Sequence, residues 1–139
     1  MIASDKEFEK LSEYRERIDS LNAISSYEVY RWLISLGKKL KNHPLSEKNR
    51  IPENQVTQCQ SELYVGFENG QYKAWSNTPI TSGYAYLLID IFNNTSKDAA
   101  VTITSAHIKT LGMNNLFSMI RKAGFHQMIE MLCALAAER

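Results

Sequence analysis

Apolar residues in the first forty positions recur at the three- and four-residue spacing of amphipathic helices. The first set is Phe8, Leu11, Ile18 and Leu21, and the second is Tyr27, Tyr30, Leu33, Ile34 and Leu40. Each set begins near a serine that is followed three residues later by glutamate, Ser4 with Glu7 and Ser25 with Glu28, as in a capping box. The pattern predicts a first helix over about residues 4–20 and a second helix that ends before Pro44.

The period of the apolar positions changes to two after a polar segment. Residues 42–55 contain two prolines and no period, so we predict a loop there. From Cys59 to Phe67 every second residue falls on one face, which predicts a strand that starts at the cysteine. Asn69-Gly70 is a typical hairpin turn, and the return strand carries Tyr72, Ala74 and Ser76 on its inner face.

The second half of the chain is mainly helical in its pattern. Pro79 and Gly83 bracket a predicted turn into a strongly apolar buried helix over 84–92. We predict a third strand over Ala99–Thr104, a short helix over Ser105–Leu111 and a long helix from about Asn115. The inner face of the long helix consists of Phe117, Ile120, Phe125, Met128, Leu132 and Leu135.

Two helices, a hairpin and further helices in this order indicate the α+β class. We therefore expect a small antiparallel sheet with helices packed on one side of it. The chain shows no internal repeat and no linker, so residues 1–139 are expected to form a single domain.

The composition excludes several functional classes. Hydrophobic residues make up 44% of the chain and charged residues 22%, as in a globular protein with a core. The net charge of +1 gives no electrostatic reason to expect nucleic acid or an anionic membrane as a partner. No apolar run reaches the ~20 residues of a membrane span. The N-terminal residues contain no apolar segment, so we expect no signal peptide.

The cysteines and histidines do not form a metal-binding pattern. The three histidines, His43, His107 and His126, are far apart, and each is expected at the surface or in a helix cap. We therefore expect no metal site. No targeting segment argues for export, so we expect no structural disulfide, and since no sequence feature suggests a cofactor, we expect none. Cys133 lies on the apolar face of the last predicted helix, which favours a packing role.

Cys59 allows two interpretations from its position. It shares a face with Leu63 and Val65, which is typical of packing, but it also follows a polar loop, which is typical of an accessible thiol. A reactive thiol needs a thiolate, and Arg50 or Arg121 could supply a stabilising charge only through the fold. No motif of a cysteine hydrolase surrounds Cys59.

Three segments in order resemble the SufE/CsdE family of sulfur acceptors for cysteine desulfurases. They are "RIPENQVTQCQSELYV", "WSNTPITSG" and "LGMNNLFSMIRKAGFHQM", and together they extend over most of the chain. The matching positions are Asn54, Val56, Cys59, Gln60, Ser61, Ser76, Ile80, Gly83, Leu111, Gly112, Arg121 and Gly124. The departures are Gln58 for the usual glycine before the acceptor, Tyr64 for a tryptophan, Trp75 for an aspartate, and Met119 and Ile120 near the arginine.

The resemblance implies a SufE-like α+β fold and a function in iron–sulfur cluster assembly. Cys59 would accept persulfide sulfur from a SufS/CsdA-like cysteine desulfurase, stimulate that enzyme, and pass sulfur to an iron–sulfur scaffold or another acceptor. Arg121 would stabilise the thiolate or contact the partner. The resemblance also implies that the sulfur is sheltered when its loop is closed and reaches the partner when the loop is open.

The chain would then be a sulfur-transfer partner of a pyridoxal-phosphate enzyme rather than an enzyme in the strict sense. A reduced acceptor thiol implies a cytoplasmic location. Two alternatives stay open. The chain could be a docking module that binds a desulfurase without taking sulfur, or a hydrolase that uses Cys59 with a histidine brought to it by the fold. We expect the glycines at positions 83 and 124 to allow close backbone packing and Gly112 to end a helix.

Overall fold

The computed structural model describes residues 8–112 and 122–138. Its helices are α1 (Glu9–Asn22), α2 (Ser26–Leu40), α3 (Pro79–Asn93), α4 (Lys97–Ala100), α5 (Ser105–Lys109) and α6 (Lys122–Ala137). The strands β1 (Leu63–Glu68) and β2 (Gln71–Ser76) form an antiparallel sheet. The α+β class predicted from the sequence is confirmed.

The two strands join through the predicted hairpin turn. Asn69 and Gly70 both have positive φ, 54° and 77°, the conformation that matches the twist of a two-residue hairpin. The register pairs Val65 with Ala74. Apolar residues of one face are buried, namely Leu63, Val65, Tyr72 and Ala74.

The helices cover this buried face of the hairpin. Helix α3 packs on β2, α6 packs on β1, and α2 packs along α3. The α2–α3 pair lies unusually close at Gly83, where a Cβ atom would lie 2.0 Å from the carbonyl oxygen of Leu33. Gly83 is therefore a contact point between two helix backbones, as the sequence predicted.

The first two helices do not begin as predicted. Helix α1 begins at Glu9, later than predicted, and the proposed Ser4–Glu7 capping box lies outside the described residues. Helix α2 begins directly after Ser25, but this serine makes no side-chain capping bond, so the second capping box is wrong. The backbone N–H of Glu28 instead bonds the Ser25 carbonyl at 3.1 Å, which leaves the side chain without that role.

The predicted turn between Pro79 and Gly83 is wrong, because α3 begins at Pro79 and continues through Gly83. Proline is well suited to the first helical position, where its missing N–H would have no helical partner. The glycine that resembled a turn signal is present for the contact with α2.

The predicted third strand over Ala99–Thr104 is also wrong. Residues Lys97–Ala100 form the short helix α4, and the Ser96 side chain accepts a hydrogen bond from Ala99 N–H at its start. The capping serine and the buried alanines favour a helical turn over the β-propensity of the following residues.

The last two helices agree with the prediction where they are described. Helix α5 covers Ser105–Lys109 within the predicted segment, and Gly112 follows it with a positive φ of 77°. Phe125, Met128 and Leu132 of α6 are buried. The predicted start near Asn115, and the inner-face residues Phe117 and Ile120, lie outside the described residues.

The loop over residues 42–55 is present and contains two short 3-10 turns, Glu47–Asn49 and Pro52–Asn54. Glu68 of the hairpin holds its first part. Its carboxylate accepts hydrogen bonds from Ser46 N–H at 2.9 Å, from Ser46 Oγ at 2.6 Å and from the Asn49 side-chain amide. Burial raises the pKa of Glu68, but these hydrogen bonds and the charge of Lys73 outweigh that effect and hold the pKa below its usual value.

We expect Glu68→Gln to destabilise the fold by about 1 kcal/mol near neutral pH, since a neutral amide cannot accept all three hydrogen bonds. A carboxylate with a lowered pKa contributes stability above its unfolded pKa of about 4.3, and this contribution disappears as the pH falls through the folded value. Urea unfolding of both proteins at about pH 7 and about pH 3 should therefore show the difference shrinking in acid. Exposed Glu47 provides the matched control, Glu47→Gln. A difference that is independent of pH would contradict this role of Glu68.

Within residues 8–112 and 122–138, no helix is long and apolar enough to span a lipid bilayer.

Candidate functional site

Cys59 lies in a tight turn immediately before the hairpin. We call residues 57–61 the Cys59 turn. Val56 N–H bonds the carbonyl oxygen of Leu63 at 2.8 Å, and Cys59 N–H bonds the carbonyl oxygen of Val56 at 3.2 Å. The chain therefore leaves the strand edge at Val56 and returns to it at Leu63.

The predicted strand from Cys59 is wrong at its beginning, because β1 starts only at Leu63. The physical reason is the length of the partner strand. Leu63 pairs with Ser76, the last residue of β2, and α3 begins shortly afterwards. Residues 59–62 thus have no strand partner in the hairpin. Cys59 N–H bonds within the turn, while the backbone N–H of Glu62 donates to Asn77 Oδ1 and its carbonyl accepts from Asn77 N–H.

Helix α6 packs directly on the backbone of the Cys59 turn. A Cβ atom at Gly124 would lie 2.9 Å from Cys59 Cα and 3.1 Å from Cys59 Cβ. Such distances are shorter than van der Waals contact, so only glycine allows this approach. The expected packing role of Gly124 is confirmed, and its partner is the candidate functional residue.

Gln127 of α6 ties down the same turn. Its side-chain oxygen accepts a hydrogen bond from Gln58 N–H at 2.7 Å, and its amide nitrogen donates to Thr57 Oγ1 at 3.1 Å. Gln127 lies three residues after Gly124, so the two positions are on the same face of the helix. Helix α6 thereby holds the turn both by contact and by hydrogen bonds.

We expect Gln127→Ala to open the Cys59 turn more often and to speed alkylation of Cys59 about fivefold. The reason is the loss of two exposed hydrogen bonds, which together have a net value of about 1 kcal/mol because water can replace them, and this value corresponds to that change in an opening equilibrium. The measurement is the rate of iodoacetamide labelling of the folded protein, with peptide mapping to separate Cys59 from Cys133.

The control for this change is Glu130→Ala, one turn further along α6 on an exposed residue. It should leave the labelling rate of Cys59 unchanged. An equal rate in Gln127→Ala and the parent protein would show that Gln127 does not limit the opening of the turn.

The end of the turn is attached to the start of α3 by hydroxyl groups. Thr78 Oγ1 donates to Ser61 Oγ at 2.9 Å, and Thr81 Oγ1 lies at hydrogen-bond distance, 3.1 Å, from the same oxygen. Thr81 is buried. Ser61 and α3 thus fix one side of the turn, while α6 fixes the other.

The sulfur of Cys59 is half-buried and faces a tyrosine. Cys59 Sγ lies 3.2 Å from Tyr84 Oη, and Cys59 packs against the main hydrophobic core. The Tyr84 ring meets Phe125 edge-on, with ring centroids 5.4 Å apart. Burial, reinforced by the hydrogen bond with Cys59, raises the pKa of Tyr84 well above its usual value.

Arg50 and Arg121 were the two arginines considered as sources of a charge that stabilises the Cys59 thiolate. Arg50 does not provide the charge, because its guanidinium lies 4.6 Å from the centroid of the Trp75 ring and its Nε donates to the Leu45 carbonyl at 3.0 Å. Arg121, the second predicted site residue, lies outside the described residues.

The histidines do not support a cysteine hydrolase. His43 is exposed, and His107 caps α5 together with Thr104, as predicted for a capping residue. His126 follows Gly124 by two positions, so it projects from roughly the opposite side of α6. In the described part of the chain, the hydrogen-bond partner of Cys59 Sγ is Tyr84 and not an imidazole.

Cys133 is a packing residue, as predicted. Its thiol donates to the Ile103 carbonyl at 3.1 Å, and it packs against the core. Burial, together with the nearby charge of Glu130, raises the pKa of this thiol. Both cysteines are free. Across residues 8–112 and 122–138, no three His, Cys, Asp or Glu side chains are grouped to hold a metal ion.

The sequence did not predict that Tyr84, Thr81 and Gln127 bond residues of the Cys59 turn. Tyr84 directly follows Gly83 of the second motif, and Gln127 follows Gly124 of the third. Their positions in or beside the motifs were the available signal. Only the packing of α3 and α6 brings these side chains to the Cys59 turn.

Comparison with known proteins identifies the family of this chain. The family model for SufE, described as the Fe-S metabolism associated domain, matches residues 13–136. An uncharacterized SufE-like protein of Synechocystis sp. is 29% identical over an alignment of 107 residues, which covers 74% of this chain. The chain covers 66% of the length of that relative. The chain therefore belongs to the SufE family, whose domain is associated with Fe-S metabolism.

Proposed function

We propose that this protein accepts sulfur on Cys59 from a pyridoxal-phosphate-dependent cysteine desulfurase and passes it on for iron–sulfur cluster assembly. Membership of the SufE family supports the pathway. The observation that carries the proposal is the position of Cys59, a half-buried free thiol in a turn held by hydrogen bonds to α3 and α6. We further propose that the chain acts as one domain.

The transfer is a nucleophilic displacement between sulfur atoms. The Cys59 thiolate attacks the outer sulfur of a persulfide on the desulfurase cysteine. A bond forms between Cys59 Sγ and that sulfur, while the bond from the outer sulfur to the desulfurase cysteine breaks. The desulfurase cysteine leaves as a thiolate, and no electrons are gained or lost overall. Removal of the persulfide frees the desulfurase for another turnover, so we expect stimulation.

A persulfide in water reacts with oxidants and with other thiols, so an acceptor benefits from shelter. The half-buried position of Cys59 against the core supplies such shelter. The restraints on the turn are hydrogen bonds, each with a net value of about 1 kcal/mol. A partner surface can therefore replace them when it draws the turn out.

Arg121 is proposed to stabilise the Cys59 thiolate or to contact an acidic group of the desulfurase. The proposal rests on its position in the third motif, three residues before the glycine that touches Cys59.

The test is the intact mass of the protein after incubation with a cysteine desulfurase and cysteine in the absence of reductant. We expect a gain of one sulfur atom, located on the peptide that contains Cys59. An established acceptor protein, loaded in parallel by the same desulfurase, shows that the enzyme is active.

A docking module without sulfur transfer is the second candidate. It is favoured by Gln58, which stands where the family usually has glycine and whose N–H is bound by Gln127. Such a turn would stay closed, and the protein would bind the desulfurase without gaining sulfur. Binding without a mass increase, using several active desulfurases, would therefore replace the acceptor function with the docking function.

A further inference from the structure

Tyr84 presents its hydroxyl to the sulfur of Cys59 from inside the core. The distance between Tyr84 Oη and Cys59 Sγ is 3.2 Å, and the tyrosine is only 1% exposed. Its ring is fixed by the edge-on contact with Phe125 and by its place within α3. The hydroxyl therefore cannot turn away to water while the Cys59 turn is closed.

The charge state of the cysteine decides the direction of this hydrogen bond. A thiol and a phenol can each donate, so either direction fits the neutral pair. A thiolate has no proton and only accepts. Because burial raises the pKa of Tyr84, the phenol keeps its proton and is the donor to the anion.

We propose that Tyr84 is a catalytic residue of this site, which donates a hydrogen bond to the Cys59 thiolate that attacks the incoming sulfur. The inference rests on the proposed function and names the group that stabilises its nucleophile. Hydrogen bonds to an ionised partner are stronger than neutral ones, and a half-buried sulfur has few waters to replace a lost donor.

The hydrogen bond has two opposing effects on reactivity. It increases the fraction of thiolate at a given pH, and it decreases the nucleophilicity of each thiolate, with a Brønsted coefficient of ≈ 0.4–0.5. For thiolates in general, a donor that increases the thiolate population about tenfold lowers the nucleophilicity of each thiolate about threefold. Loss of the donor should therefore slow the reaction at low pH and speed it at high pH.

The experiment compares Tyr84→Phe with the parent protein, both in a Cys133→Ser background. The reaction is exchange with 4,4′-dithiodipyridine, a small neutral disulfide, and its rate is followed as a function of pH. At the acid end of the profile we expect the variant to react about threefold more slowly, and at the alkaline end about threefold faster. The two profiles should cross.

A purely structural effect of the substitution would not produce crossing profiles. A looser turn would raise the rate at every pH, and a tighter turn would lower it at every pH. Profiles that coincide, or that stay parallel over the whole pH range, would overturn the proposed role of Tyr84.

The matched control is Tyr14→Phe. Tyr14 is also buried, and its hydroxyl donates to Asp90 Oδ2 at 2.6 Å, so the same atom is removed from a hydrogen-bonded tyrosine outside the Cys59 turn. This variant should keep the pH profile of the parent. A crossing profile in Tyr14→Phe as well would overturn the assignment to Tyr84.

A further variant covers the case that Tyr84→Phe does not fold, as judged by circular dichroism. 3-Fluorotyrosine placed at position 84 has nearly the size of tyrosine but a more acidic, stronger donor. We expect the opposite displacement, faster exchange at low pH and slower exchange at high pH. An unchanged profile would overturn the proposal.

The assay contains no desulfurase, so it separates this inference from the proposed function. If the profiles cross but the protein never gains sulfur from a desulfurase, the hydrogen bond from Tyr84 is supported and its catalytic role is not. Coinciding profiles in a protein that gains sulfur normally would remove only the role of Tyr84.

Discussion

Cys59→Ser is expected to abolish sulfur gain completely and to reduce stimulation of the desulfurase to the rate of that enzyme alone. A serine hydroxyl stays protonated near neutral pH and is a weak nucleophile without an adjacent base. The fold should remain, because serine is similar in size and its hydroxyl can still bond Tyr84 Oη. The measurements are intact mass after incubation with desulfurase and cysteine, and the rate of alanine production.

Cys133→Ser provides the matched control for this result. Cys133 is the second cysteine of the chain. Its thiol donates a hydrogen bond to the Ile103 carbonyl, and the residue lies on α6. This variant should gain one sulfur atom as the parent does. Sulfur gain in Cys59→Ser that disappears in Cys133→Ser would assign the acceptor to Cys133 and contradict the proposed function.

Gly83→Ala is expected to lower the free energy of unfolding by about 3 kcal/mol, at the upper end of overpacking substitutions. The new Cβ would lie 2.0 Å from the carbonyl oxygen and 2.6 Å from the carbonyl carbon of Leu33. Both atoms belong to the backbone of α2, so relief requires the two helices to separate. The better helix propensity of alanine returns only about 1 kcal/mol.

Urea unfolding and thermal denaturation measure this change, and a drop in Tm of roughly 10 °C corresponds to it in a domain of this size. Ser35→Ala, on the exposed side of α2, is the control and should stay within about 0.5 kcal/mol of the parent. A loss below about 1 kcal/mol in Gly83→Ala would mean that the α2–α3 contact adapts easily.

The predictable parts of the fold are those with a long or local signal. The apolar spacing predicted α2, because this pattern is repeated over several helical turns. Asn69-Gly70 predicted the hairpin, because two residues are enough to specify the turn. The prediction of a third strand over Ala99–Thr104 is wrong because the helix cap at Ser96 outweighs the β-propensity of a short segment. Gly83 was read as a turn signal because the sequence alone does not reveal a helix backbone passing beside it.

The candidate site divides in the same way. Cys59 and Arg121 were predicted from motifs, because the resemblance to the family rests on residue type and spacing, and their roles stay predictions. The extended conformation predicted for Cys59 was wrong, since the end of β2 at Ser76 leaves the cysteine without a strand partner.

The α+β class, the hairpin, the resemblance to the SufE family and the cysteine of the proposed chemistry could all be predicted from the order of the residues. The surroundings of that cysteine could not, because they depend on how the helices pack. Tyr84, Gln127 and Gly124 are 25 or more positions away from Cys59 along the chain, and they contact the Cys59 turn because α3 and α6 pack against it. Contacts of this kind depend on helix placement, which no local pattern of residues encodes.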